Sequence, residues 1–412
     1  MDIVHRCCAG LDVHQDQVTA CVRLSREGQK AQAFSREFST LPSGLAALRD
    51  WLREHGVTHA AMEGTGVYWV PVYEALRSPD LDLTLCNAHH VRKVPGRKTD
   101  QSDAAWLAQL MSCGLLNKSF VPTPELRALR ELTRTRVHRI EDRTRVVNGI
   151  HRLIERAGLK LCSILSDLMG MTGLLILTDL AAGVRDPAEL ASNARGSLRA
   201  KRLQLKAVLA TPLTPTEQLL LGQQLAMSKL INEQIATLDE QIAAAVQPYS
   251  AQMTILLSVY GIDVVAASAI LAEIGPDMNV FKGSKGIAAW SGLAPGQNES
   301  AGKRKRAPTR PGNPYLSRIL VQIAMVIGRC KKPNDLTDFF RKKMPVLGYK
   351  KAAVATARKL LVRLWRMLTN GEIYAPPPPR PLTDKQCDRQ AKRHIQRLID
   401  LGYEVSCERK AA

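Results

Sequence analysis

Four carboxylates at the edges of apolar runs constrain how the first hundred or so residues can fold. Asp12 interrupts CAGLDVH, Glu63 closes the apolar run of AAMEGTG, and Asp100 and Asp103 lie close together in KTDQSDA. A fold can aim side chains from distant segments at one point from such positions. Clustered carboxylates repel one another and have little reason to be buried together without a cation between them. An oxygen-only set suits Mg2+ or Mn2+, and a pair of such ions is a usual device for breaking phosphodiester bonds. Singly, the acids have ordinary explanations: Asp100 as a helix N-cap, Asp103 as a first-turn acid favoured by the helix dipole. Asp12 is harder to explain in this way, because it interrupts an apolar strand.

The surrounding pattern predicts an α/β domain over residues 1–120. HRCCAGLDV, QVTACVRL and QAFSREF read as three strands. PSGLAALRDWLREHG has helical spacing, with Leu45, Leu48 and Leu52 on one face and Gly56 as a stop. VTHAAMEG is a strand carrying Glu63 at its end, VYWVPVYEALR a helix interrupted near Pro71, and LDLTLCN a fifth strand. TDQSDAAWLAQLMSCG follows as a helix ending at Gly114. This order predicts a mixed sheet with helices on its faces. Asp12 falls mid-strand, and the i, i+3 spacing puts Asp100 and Asp103 on one face of a helix's first turn.

Charge points to the partner. The chain carries a net +20, yet residues 1–100 hold 12 basic and 12 acidic residues while residues 301–370 hold 18 basic and 2 acidic. A basic field so focused attracts a phosphate backbone and makes affinity fall with salt. No apolar run reaches the ~18 residues of a membrane-spanning helix, and the start MDIVHRCCAG lacks a secretory pattern. The nine cysteines lack CxxC spacing and read as reduced thiols in a cytoplasm. Cys7 and Cys8 read as small residues entering a buried strand rather than as a metal or redox pair.

Residues 121–250 read as helical. Leu126, Leu129, Ile140, Val147, Ile150 and Ile154 form one stripe, and Ile231, Ile235, Leu238, Ile242 and Val246 another. The two segments predict an antiparallel helical hairpin or a dimerising coiled coil; residues 160–215 between them have no clear pattern. The arginines from Arg127 to Arg156 fit either a solvated face or a groove for nucleic-acid backbone. Residues 251–370 form a mainly α region. LLSVYGIDVVAASAILAEIG resembles a helix-hairpin-helix element around Gly261. A Gly/Pro-rich loop from Ser291 to Pro314 carries Ser300 beside Lys303, Arg304, Lys305, Arg306 and Arg310. A serine is a poor nucleophile unless activated, and surrounding cations would stabilise a phosphorane-like transition state. Ser291 and Ser317 are local rivals. Residues 371–412 hold a polyproline spacer, EIYAPPPPRPLTDK, and an amphipathic helix, CDRQAKRHIQRLIDLGYEV, with Ile395, Leu398, Ile399 and Leu401 apolar.

Two blocks then carry a family resemblance: GLDVH, AMEGTG and GRKTDQSDA in the first hundred residues, and GLAPGQNESAGKRKR with RPGNPYLSRIL further on. Together they resemble the DEDD transposases of the insertion-sequence family related to Piv-type DNA invertases, some of which are bridge-RNA-guided recombinases. The resemblance implies a ribonuclease-H-like (RuvC-like) N-terminal domain whose acids Asp12, Glu63, Asp100 and Asp103 bind divalent metal. It implies a coiled-coil middle and a C-terminal transposase domain in which Ser300 attacks DNA and forms a covalent phosphoserine link. It also implies double-stranded DNA partners (element junction and target), a noncoding guide RNA, a homodimer or homotetramer with a composite site, and a bacterial, nucleoid-associated location. Arg318 falls at a phosphate-contacting position, although LSR replaces the family's Leu-Arg there. Ala301 separates Ser300 from Gly302, where many relatives have Ser-Gly. Two other readings compete: a RuvC-like nuclease that hydrolyses junctions with metal and water, and a non-catalytic nucleic-acid-binding protein.

Overall fold

The computed structural model describes residues 3–26, 29–64, 66–87, 91, 102–296, 299–300, 302–304, 307–309, 311–331, 334–376 and 384–407. The chain divides into two compact units, Met1–Glu125 and Leu126–Ala412.

The first unit is α/β. Its strands are β1 (Cys7–Val13), β2 (Gln17–Leu24), β3 (Gln32–Ser39), β4 (His59–Glu63) and β5 (Asp82–Cys86), with helices α1 (Pro42–Glu54), α2 (Trp69–Leu76) and α3 (Asp103–Ser112). The sheet order is β3-β2-β1-β4-β5. The β1–β2 and β2–β3 pairs are antiparallel, and β1–β4 and β4–β5 parallel. Side chains alternate across the sheet. Leu11, Ala20, Ala60 and Met62 pack with Leu48, Leu52, Val72 and Leu76 of α1 and α2. Cys8, Ala61 and Cys86 face Trp106, Leu107 and Leu110 of α3.

Three local expectations change here. Asp12 is the sixth of the seven residues of β1, near its end rather than its middle. Pro71 does not interrupt α2: it is the third helical residue, where the missing N–H would have had no helical partner. Helix α3 begins only at Asp103, because Ser102 is extended and its hydroxyl accepts from Ala105 N–H at 3.3 Å as the N-cap. The predicted shared helix face of Asp100 and Asp103 therefore does not form on α3, and Asp100 itself lies outside the described residues.

The second unit is helical. It opens with α4 (Pro124–Arg156), a rod about 50 Å long. The segment without a clear pattern forms α5 (Met171–Ala181), α6 (Pro187–Ser192) and α7 (Arg202–Val208). Leu177, Leu190 and Leu205 from these helices close a core with Ile150 and Ile154 of α4 and Leu221 of α8 (Pro215–Ala245). Helices α4 and α8 run antiparallel within the chain. Arg136 reaches Asp239, Arg143 donates to Asn232 at 3.3 Å, and Gly149 lies against Gln224, so contacts advance along one helix as they recede along the other.

The remainder comprises α9 (Ser250–Leu257), α10 (Val264–Ile274), α11 (Gly283–Trp290), the two-residue strands β6 (Glu299–Ser300) and β7 (Lys303–Arg304), α12 (Pro314–Arg329), α13 (Asp335–Leu347), α14 (Tyr349–Asn370) and α15 (Asp384–Asp400). The expected turn joins α9 to α10, with Gly261 at φ +86° and Asp263 capping α10 by accepting from Ala266 N–H at 2.8 Å. Tyr374, at the start of the Pro-rich spacer, donates its hydroxyl to Asp335 at 2.6 Å; residues 377–383 lie outside the described residues. No helix among the described residues is long and apolar enough to cross a membrane.

Candidate functional site

The acids of the first unit are brought together by strand register. Strands β1 and β4 are parallel neighbours with Leu11 beside Met62, so the next residues, Asp12 and Glu63, stand side by side at the C-terminal ends of their strands. By alternation both point to the face that carries Cys8, Gly10 and Ala61, the face covered by α3. Gly10 explains how closely that helix lies. A Cβ at this position would fall 2.1 Å from Ala104 O and 2.4 Å from Ala108 N, so only glycine lets α3 sit directly on β1. Asp103, one residue before Ala104, thus opens a helix laid on the face that bears Asp12 and Glu63. Asp12 is half-buried, and His14 Nε2 lies 3.3 Å from its Oδ2.

Carboxylate oxygens projected from two strand ends and a helix start are the donor type a hard divalent cation takes, and in that respect the residues fit Mg2+ or Mn2+. Among the described residues no three His, Cys, Asp or Glu side chains converge closely enough to hold a metal. None of the nine cysteines forms a disulfide, and none belongs to a cluster of three such side chains among the described residues. Burial pushes the Cys8 and Cys86 thiols up to about 12, which keeps them protonated.

Within the expected Gly/Pro-rich loop, Ser300 occupies a short hairpin. Pro295 bridges Thr309, Gly296 N–H donates to Pro308 O at 3.0 Å, and Glu299 and Ser300 pair with Arg304 and Lys303. Ser300 is therefore the last residue before a two-residue turn, directly across from Lys303, and Gly302 supplies the φ of +73° that the turn requires. The base of the hairpin is clamped where Gly312 crosses the end of α11. A Cβ there would meet Gly292 N at 2.1 Å, and Asn313 N–H donates to Trp290 O at 3.0 Å. Lys305, Arg306 and Arg310 lie outside the described residues.

The rival serines have other work. Ser291 is fully buried and donates to Ala288 O at 3.0 Å, and Ser317 donates to Pro314 O at 3.2 Å in the first turn of α12. Arg318 pairs with Glu141 of α4 and holds that carboxyl below the usual range.

Sequence reasoning missed Glu273. Its side chain is 2% exposed, at the end of α10. Arg134 donates to it twice, Nε to Oε1 at 2.8 Å and Nη2 to Oε2 at 2.9 Å, and Arg130 lies 3.3 Å away. Asn313 donates Nδ2–H to Oε2 at 2.5 Å while its own oxygen caps α12 at Leu316 N–H. Arg134 also stacks on Tyr315, 4.4 Å from the ring centroid, and Tyr315 OH lies 2.9 Å from His138 Nε2. Residues 130, 134, 138 and 141 form one stripe of α4, and on it Arg130 and Arg134 are committed to Glu273, whereas Arg145 elsewhere on the helix is 73% exposed. The stripe ties the rod to the segment that follows the serine hairpin. The available signal was a lone acid in the apolar run VVAASAILAEIG. Above this network lies a cleft of about 290 Å3, lined by Val137, Ile140, Ile242, Val264 and Ile319 among others.

Comparison with known proteins assigns the class. Residues 9–158 match the IS110-type DEDD transposase domain, and residues 253–339 match the domain described as transposase IS116/IS110/IS902 family. The chain is 26% identical over 337 residues to a probable family 20 transposase of Pseudomonas aeruginosa, covering 80% of this chain and 90% of that one. It is 24% identical over 310 residues to the transposase for insertion sequence element IS1111A of Coxiella burnetii, covering 73% and 75%. A putative transposase of Sinorhizobium fredii, y4pF/y4sB, is 34% identical over 149 residues, covering 34% of this chain and 37% of the relative. The two sites thus sit in a transposase, an enzyme that cuts and recombines DNA. The chain belongs to the IS110/IS116/IS902 family of insertion-sequence transposases.

Proposed function

We propose that the chain exchanges DNA strands through a covalent phosphoserine on Ser300, with a divalent cation held by Asp12, Glu63, Asp100 and Asp103. The observation that carries the serine assignment is the hairpin. It sets Ser300 at the lip of a two-residue turn opposite Lys303, while Ser291 is buried. The acid assignment rests on the register of Asp12 beside Glu63 under α3. The sheet order, with three antiparallel strands followed by two parallel ones, supports a ribonuclease-H-like reading of the first unit.

Ser300 Oγ attacks the scissile phosphorus, a phosphorus–oxygen bond to the strand breaks, and the strand leaves as a 3′-hydroxyl. In rejoining, a 3′-hydroxyl attacks the phosphoserine, the Ser300 Oγ–phosphorus bond breaks, and the serine recovers its proton. Each phosphodiester lost is replaced by another, so no ATP is consumed. A bound Mg2+ or Mn2+ would neutralise charge on the scissile phosphate. Lys303, Arg304, Lys305, Arg306 and Arg310 neutralise backbone phosphate, which positions DNA without choosing its sequence. Site choice is then delegated to a noncoding guide RNA paired with donor and target, in a dimer or tetramer associated with the nucleoid.

The test is covalent trapping. Purified protein, with any co-purifying RNA retained, meets labelled element-junction DNA and Mg2+ and is run on a denaturing gel beside Ser300→Ala and Asp12→Asn. A protein–DNA adduct lost in both variants is expected. Free cleaved DNA that persists in Ser300→Ala and vanishes in Asp12→Asn would identify a hydrolytic nuclease and overturn the serine assignment. Ribonuclease treatment that leaves the reaction unchanged would remove RNA guidance.

A further inference from the structure

Helix α14 carries charge that the fold does not use. It contains Lys350, Lys351, Arg358, Lys359, Arg363 and Arg366 and no acidic residue, and the acid-free stretch extends from Phe339 to Gly371. Lys359 and Arg363 are occupied, at 3.3 Å and 2.6 Å from Asp335. The other four are exposed and pair with no carboxylate among the described residues.

These four are arranged, not scattered. Helix α14 buries Ala353, Ala357, Leu360, Leu361 and Leu364. At 3.6 residues per turn, Lys351, Arg358 and Arg366 fall on the opposite side within a stripe about 80° wide and about 22 Å long, and Lys350 flanks its start. On the other side of the Gly348 corner, where φ is +76°, exposed Lys342 and Lys343 lie in the second half of α13. Lys350 and Lys351 stand in the first turn of α14, where the helix dipole favours anions and opposes cations. Like charges along one stripe add their own repulsion. A polyanion laid along the stripe relieves both.

We infer that the α14 stripe is a second nucleic-acid surface, carried by a different element from the serine hairpin, which grips the sugar–phosphate backbone of a duplex without reading its bases. A duplex is favoured over a single strand because, among the described residues, no aromatic ring is fully exposed beside the stripe for bases to stack on; Trp365 at its edge is half-buried. DNA and RNA duplexes present the same phosphate chemistry, and the measurement separates them.

Full-length wild type and Lys350→Gln/Lys351→Gln/Arg358→Gln/Arg366→Gln are titrated with labelled duplex DNA and labelled duplex RNA of arbitrary sequence, without divalent metal, between about 50 and about 200 mM salt. Each neutralised phosphate contributes ~0.9 to the slope of log affinity against log salt, so the quadruple variant should lose about 3.6 from that slope. Loss on DNA alone assigns the surface to DNA, loss on RNA alone to RNA, and loss on both to either. An unchanged slope on both probes overturns the inference. Should the quadruple variant melt early, Lys350→Gln/Lys351→Gln alone should lose about 2, and no change there is equally decisive. No chemistry takes place in the assay, so its failure leaves the Ser300 assignment untouched.

Discussion

Removing the Glu273 charge should destabilise the second unit more than any other single change outside its apolar core. The carboxylate takes two hydrogen bonds from Arg134 and one from Asn313, with Arg130 at 3.3 Å, and is 2% exposed. Glu273→Ala leaves Arg130 (14% exposed) and Arg134 without their counter-charge. Burial already pulls the Arg130 guanidinium below its ordinary value, and nearby Glu273 opposes that shift. Breaking one partner of a buried pair costs about 3–5 kcal/mol. Glu273→Gln keeps the shape and one acceptor, so about 1.5–3 kcal/mol is expected, the range for hydrogen bonds to charged groups. At roughly 2 °C per kcal/mol for a unit this large, the Ala variant should melt about 6–10 °C lower. A thermal melt followed by circular dichroism reads this directly, and a double-mutant cycle with Arg134→Gln isolates the pair. A melting point unmoved by Glu273→Ala, or strictly additive effects in the cycle, would refute the network as a source of stability.

Three further outcomes follow from packing, capping and ionisation. Gly10→Ala forces a methyl into backbone atoms at 2.1 and 2.4 Å, so α3 must lift from β1 at a cost of ~1–3 kcal/mol or more; strand cleavage should fall with stability, and a variant normal in both would contradict the placement of α3. Thr214→Ala opens the capping box that Thr214 and Glu217 form at the start of α8, which should cost about 1 kcal/mol in a melt, with no loss counting against that cap. Burial and the Asp335 hydrogen bond raise the Tyr374 phenol from its ordinary 10.0 to about 12. The folded value is the higher one, so this contribution is complete below about pH 10 and lost as pH rises towards about 12. Tyr374→Phe should flatten stability across that window, and superimposable alkaline curves for the two proteins would refute the assignment.

Much of the first unit was legible because its signals are local. Short strand-like runs with breaks between them marked the five strands, and the acids stood out because they break or close apolar runs at Asp12 and Glu63. Helices α4 and α8 were legible for the same reason, a long three-four stripe. Segment 160–215 was not, because short helices such as α6 carry too few turns to show a period and depend on a shared core for stability.

The sequence by itself determined the strands and helices of the first unit, the two long helices, the concentration of positive charge late in the chain and the two motif blocks, since propensity, charge and spacing are properties of neighbouring residues. Tertiary structure decided what depends on distant residues meeting. The β1–β4 register brings Asp12 level with Glu63 across 51 positions of chain. A 3.3 Å hydrogen bond made Ser102, not Asp100, the cap of α3. Arg134 looked like one more surface cation until Glu273, 139 residues away, proved to be its buried partner. Lys351, Arg358 and Arg366 became an unspent stripe only once Asp335 had claimed Lys359 and Arg363. The strength of an ionic contact depends on burial and on which partner is nearest, and neither is a property of the linear chain.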